Sequence, residues 1–198
     1  MNAFVSLENY IVKQELNAGV GVSVTLDEAV AKYESTRRKG VLSYNNWLLV
    51  NIPGENFFID MTKPIKEQSD DVLASLMKND FIMSLFIYEA RKIFESMNTL
   101  PDEQNNKEEY NKRMKNFSKK KYEFLLSFKS GLDLFNFINS KCITHDRAKS
   151  SSLLYDFGIK GALYDDETGK RFLLFNAKKD IEPVDYRTGI LEDSALVL

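Results

Sequence analysis

The chain has 198 residues, 43% of them hydrophobic and 12% aromatic, with a formal net charge of −2. Its 14 Phe and 9 Tyr supply apolar surface for a sizeable core and argue against a disordered chain. The near-neutral balance names no nucleic acid as partner, the single Cys142 excludes an internal disulfide, and a single His145 cannot anchor a clustered His/Cys zinc site, so no metal is expected.

Residues 1–15 carry Glu8 early and no continuous apolar run, so they do not read as a signal peptide. Leu7–Leu16 reads as a short helix and the β-branched run Val20–Val24 as a strand. Thr25-Leu26-Asp27-Glu28 fits a capping box, with Thr25 as N-cap and Glu28 three residues on. The helix it opens runs to about Tyr33 or Arg37, with Leu26, Ala29, Val30 and Tyr33 on its apolar face and Gly40 as its end. Trp47–Ile52 and Asn56–Asp60 read as two strands of a hairpin turned by Pro53-Gly54.

From Asp70 to about Ile143 the periodicity is helical. An apolar stripe starts at Val72, Leu73, Leu76 and Met77 and extends through Ile82 and Phe86 to Met97. The apolar stretch within it, 81–87, is too short to span a bilayer, so no membrane partner and a cytoplasmic location are expected. Asp102–Phe128 is a charged helix, and Leu132–Ile143 a further one capped near Ser130-Gly131. The basic run of Lys112, Arg113, Lys115 and Lys119–Lys121 is either a solvated helix face or a docking surface for an acidic partner. Thr144 is a candidate N-cap for a helix over about 146–156. Ala162–Tyr164 and Arg171–Asn176 are strands joined across 165–170 with Gly169 in the turn, Ile181–Val184 is a last short strand, and Asp185 onward is peripheral. The pattern, β at both ends with helices between, is α+β: a small curved antiparallel sheet in a single domain, 1–198, with a helical insertion at about 70–143.

Three features carry candidate chemistry. Asp165, Asp166 and Glu167 meet at a hairpin tip, where they are either ordinary turn residues or a catalytic cluster with at least one raised pKa. Ser23-Val24-Thr25, at a strand end and helix start, is either a cap or a place for a polar ligand. His145 reads as a first-turn helix residue or a catalytic base, and Tyr33, Tyr44, Trp47 and Tyr164 as core or as walls for a flat ring.

The stretches Gly21–Ala29 and Gly158-Ile159-Lys160-Gly161 through Asn176 together resemble the ADP-ribosyltransferase-like fold, in the divergent form found in bacteriophages and mobile elements, which includes ADP-ribosylating anti-CRISPR proteins. The resemblance implies an enzyme that splits NAD at the nicotinamide–ribose bond and passes ADP-ribose to a host protein, inhibiting host defence in the bacterial cytoplasm. It implies NAD as substrate, Ser23 and Thr25 framing the nicotinamide with Tyr33 beneath, and Asp166 as the acid, with Asp165 and Glu167 as neighbours. The family's polar anchor on the first strand corresponds to Val5, in Ala3-Phe4-Val5-Ser6, with His145, Arg37, Arg38 or Arg147 left to replace it. That departure gives the alternative, a catalytically silent member that binds a protein through the helical insertion.

Overall fold

A computed structural model of the chain describes residues 1–7, 9, 14–37, 45–78, 107–141 and 145–189. The strands are β1 (Asn2–Ser6), β2 (Gln14–Leu16), β3 (Gly19–Thr25), β4 (Asn45–Asn51), β5 (Phe58–Asp60), β6 (Gly161–Asp166), β7 (Gly169–Leu174) and β8 (Glu182–Gly189). The helices are α1 (Glu28–Arg37), α2 (Asp70–Lys78), α3 (Lys107–Leu126), α4 (Gly131–Lys141), α5 (Arg147–Asp156) and the single turn α6 (Ala177–Asp180). The class is α+β. The strands form one eight-stranded sheet in the order β5-β6-β7-β3-β1-β4-β8, with β2 paired to β3 off that path. It is larger than the small antiparallel sheet expected, and it is mixed: β5 runs parallel to β6.

Alternation along the strands sorts the side chains onto two faces. Ala3, Val5, Val22, Val24, Leu48, Val50, Leu163, Phe172 and Leu174 share one apolar cluster with Ala177 of α6 and the neighbouring Ile181. The other face presents Ile59, Ala162 and Leu173 to Val72 and Leu76 of α2, Leu125 of α3, Leu134, Phe135 and Ile138 of α4 and Leu154 of α5. The helical middle of the chain therefore shares a core with the sheet rather than standing apart from it. Two glycines sit where backbones approach closely, Gly21 between β3 and β7 and Gly131 between α4 and β5. A Cβ on Gly21 would lie 2.1 Å from the Leu174 carbonyl oxygen, and one on Gly131 would lie 2.3 Å from that of Asp60.

Several local readings change. Pro53-Gly54 does not close a hairpin: β4 pairs with β1 and β8, and β5 goes to the far edge beside β6. Gln14–Leu16, read as a helix end, is a strand on β3, and 8 and 10–13 lie outside the described residues. Helix α1 is capped by Asp27, whose carboxylate accepts the Ala29 N–H at 2.8 Å, not by Thr25, whose hydroxyl accepts the Asp27 N–H at 3.1 Å. Glu28 does not close a capping box either, because its carboxylate accepts from the Trp47 indole and from Arg187. Its expected apolar face is turned outward: Leu26 and Tyr33 are exposed, and Ala31 is the buried residue. Asp185–Gly189 are not peripheral but continue β8 along β4. Ser130 does cap α4, accepting the Asp133 N–H at 3.0 Å. Helix α5 is capped by Asp146, which accepts from Ala148 and Lys149. Thr144, the expected cap, lies outside the described residues, as do Gly40, Arg38, Tyr44, Cys142 and the stripe beyond Lys78 to residue 106.

Candidate functional site

The strand register places Tyr164, Arg171, Thr25 and Phe4 in one row across β6, β7, β3 and β1, so all four project from the same face. Ser23, two residues before Thr25, shares that face. Tyr164 reaches back across β7, and its hydroxyl lies 2.8 Å from the Ser23 hydroxyl. Crossing one intervening strand means spanning about 10 Å, within reach of a tyrosine. Burial raises the Tyr164 pKa above the ordinary phenol value, against the hydrogen bond with Ser23 and the charge of Arg171.

Arg171 is the centre of this row. Its side chain is 3% exposed and holds two carboxylates. Nε donates to Asp166 Oδ2 at 2.9 Å, and Nη2 donates to Glu34 Oε1. Nε and Nη2 form one edge of the planar guanidinium, so the two acids, one from the β6–β7 hairpin and one from α1, stand side by side. Glu34 is fixed from its other oxygen by Asn9 Nδ2 at 3.0 Å, and Asn9 Oδ1 accepts from Gln14 Nε2 at 2.7 Å. The third guanidinium nitrogen, Nη1, is buried with no hydrogen-bond partner among the described residues. Burial alone would lower the Arg171 pKa, but the bonds and charges of Glu34 and Asp166 outweigh it and keep the group protonated.

The hairpin tip divides its three acids. Asp165 and Asp166 are the last β6 residues and point to opposite faces, while Glu167 lies in the turn before Gly169, whose φ is +111°. Asp166 Oδ1 accepts the Thr168 N–H at 2.8 Å and the Thr168 hydroxyl at 2.5 Å. Burial acts to raise its pKa, yet the Thr168 and Arg171 hydrogen bonds win and hold the carboxyl below the ordinary aspartate value. The expected raised acid is therefore not Asp166.

Of the residues singled out by sequence, Ser23, Thr25, Tyr164 and Asp166 come together around Arg171. Tyr33 does not: it is 52% exposed on the outer side of α1. Val5 points into the apolar cluster on the opposite face. His145 precedes the Asp146 cap with φ +48° and is exposed, outside the helix it was assigned to. Arg147 contacts Asn17 and Glu15, away from the row. Arg171, Glu34 and Asn9 were missed. The available signal was parity: Arg171 is a charge in phase with Leu173 and Phe175, on the strand face that those core residues occupy.

Among the described residues no cluster of His, Cys, Asp and Glu could hold a metal ion, and no helix is long and apolar enough to cross a membrane. Comparison of the chain with protein-family models, curated proteins and solved structures gives no match.

Proposed function

We propose that the Arg171 cluster is the site of an ADP-ribosyltransferase-like activity. It would split NAD at the nicotinamide–ribose bond and pass ADP-ribose to a host protein, as an inhibitor of host defence carried by a phage or mobile element. One observation carries the reading. Ser23, Thr25 and Asp166, named for this role from two separated stretches, lie on one face of the sheet with the buried Arg171, which holds Asp166 directly, is paired with Thr25 in register and stands between Ser23 and its partner Tyr164 in strand order. Cleavage breaks the bond between the ribose carbon and the nicotinamide nitrogen, and nicotinamide leaves with the bonding pair. The ribose is left cationic until the acceptor adds and releases its proton. A fixed negative charge lowers the energy of that cationic centre. Glu34 and Asp166 are the carboxylates suited to this, since both reach solvent. The Ser23 and Tyr164 hydroxyls supply orienting hydrogen bonds. Incubation with labelled NAD⁺ and bacterial lysate should label a protein band, and Asp166→Asn with Glu34→Gln should abolish transfer. Transfer that persists in the double variant would remove this site.

The second reading is a silent relative that binds a protein through its helical part. Val5, buried at the position of the family's polar anchor, favours it, as does Asp166 with both oxygens engaged. On α3, Lys112, Lys115 and Lys119 are exposed, Lys119 pairing with Glu123 at 3.8 Å, while the side chains of Lys120 and Lys121 are outside the described set. No heat of NAD⁺ binding, and a partner lost on reversing the charge of Lys112, Lys115 and Lys119, would decide for this reading.

A further inference from the structure

β8 is the last strand of the sheet, and among the described residues it pairs on one side only, with β4. Half of its peptide groups therefore point away from the sheet, in the pattern a further strand would use. Soluble proteins blunt such edges with lysine, proline or a bulge. Here the devices are gathered at one end. Pro183 has no N–H to give, and a register shift between Leu49 and Val50 leaves Val184 as the extra residue of a bulge. Residues 185–189 beyond them pair regularly with β4, and the strand carries no lysine. Val184 and Tyr186 are 53% and 52% exposed.

The charges of this edge define the strand that fits it. Tyr186 lies opposite Leu48 and projects from the face of the Val5 and Val50 cluster. Asp185 and Arg187, opposite Leu49 and Trp47, project from the α1 face. Arg187 Nε donates to Asp185 Oδ2 at 3.2 Å, and Nη1 donates to Glu28. Both side chains still present charge to solvent, Asp185 being 57% exposed and Arg187 35%.

Two copies of one strand that pair antiparallel are related by a two-fold axis normal to the sheet, which keeps every residue on its own face. Because side chains alternate between faces, a residue then lies opposite itself or opposite one an even number of positions away. An axis through Asp185 sets aspartate against aspartate, and one through Arg187 sets arginine against arginine; both registers are repulsive. An axis through Tyr186 sets each Asp185 opposite the Arg187 of the second copy, and Tyr186 opposite Tyr186. The charges then alternate in sign around the axis, and Pro183 falls at the ends of the ladder, opposite Gly189.

We infer that β8 is a self-pairing edge that joins two copies of this chain into a two-fold dimer, through an antiparallel β8–β8 ladder centred on Tyr186. The ladder is short, so the dimer is a weak one that forms with rising concentration. It is independent of the Arg171 cluster and of the NAD reading.

Sedimentation velocity on the full chain, over about a hundredfold range of concentration, should show a monomer–dimer equilibrium. Asp185→Arg makes an all-arginine edge and Arg187→Asp an all-aspartate one, so each variant alone should dimerise at least about tenfold more weakly. Mixed, the two should pair with each other, because every arginine then faces an aspartate. Loss of fold would not produce that recovery. A second arm reads the register. In a chain carrying Cys142→Ser, Tyr186→Cys should form an intermolecular disulfide under mild oxidation, since Cα atoms opposite each other lie about 4.5–5.5 Å apart. Val184→Cys, at an equally exposed position, should not, since its two copies lie more than about 12 Å apart along the ladder. The cysteine arm stands if a charge variant fails to fold by its melting curve. A monomer at every concentration, whether the edge is bare or taken by residues 190–198 of the same chain, would overturn the inference. So would charge variants that dimerise like the wild type, a mixture of folded variants that does not associate, or cross-linking at 184 as fast as at 186.

Discussion

Replacing Arg171 with methionine separates the structural from the electrostatic role of the cluster. Methionine keeps an apolar stem of similar length in a position that is 3% exposed, so the cavity contribution is small. What is lost is the shared cation. Removing one member of a fully buried ion pair costs about 3–5 kcal/mol. Glu34 and Asp166 are 24% and 35% exposed and partly rehydrate, which brings the expected loss to about 2–3 kcal/mol. For a chain of this size that is roughly 4–12 °C in Tm, read by calorimetric or circular-dichroism melting with urea unfolding alongside. The design also has a rescue arm. Adding Glu34→Gln and Asp166→Asn to Arg171→Met removes the two stranded charges and should restore at least about 1 kcal/mol. A loss below about 0.5 kcal/mol for Arg171→Met, or no recovery in the triple variant, would refute the account of Arg171 as the charge that holds two acids together.

Acid should act on the same cluster. The Asp166 pKa is depressed in the folded chain, so its contribution is present above the unfolded carboxyl value and is lost as pH falls through the folded one. Stability measured downward from pH 5 should fall in the wild type, and fall less steeply in Asp166→Asn. Tyr164→Phe should cost about 1–2 kcal/mol by urea unfolding, because it leaves the buried Ser23 hydroxyl without its partner. Gly21→Ala places a methyl group against the Leu174 carbonyl at 2.1 Å and should lower stability by about 1–3 kcal/mol, whereas Gly169→Ala meets nothing within 4 Å and should show only the strain of φ +111°. Asp27→Ala should cost about 1 kcal/mol through loss of the α1 cap, and Thr25→Ala should not act through that route.

Elements with strong local signals were legible. Val20–Val24 is a strand because β-branched residues favour a pleat, Ser130 caps α4, and Gly169 turns the β6–β7 hairpin. Pairings were less so. Pro53-Gly54 marks a turn, but a turn signal says nothing about whether its flanking strands pair, and here they go to distant parts of the sheet. The capping box failed because Asp27 competes for the same role two residues from Thr25, and Glu28 finds Trp47 and Arg187, partners that only the folded sheet supplies. At the site, the hydroxyls and Asp166 were visible as residue types. Arg171 and Glu34 were not, since each reads as an ordinary surface charge until the register sets them face to face across 137 positions.

The centre of the sheet has a temporal side. Ser23 and Tyr164, which touch across it, are 141 residues apart. At a synthesis rate of about 5–20 residues per second, β3 leaves the ribosome roughly 10–30 s before the strand that will lie beside it. For that interval the Val22 and Val24 side chains have no β7 to cover them, and the N–H and C=O groups of one β3 edge have no partner. A chain built this way relies on its C-terminal third to finish its N-terminal third. Truncation before β7 should therefore yield an aggregating fragment rather than a smaller folded protein.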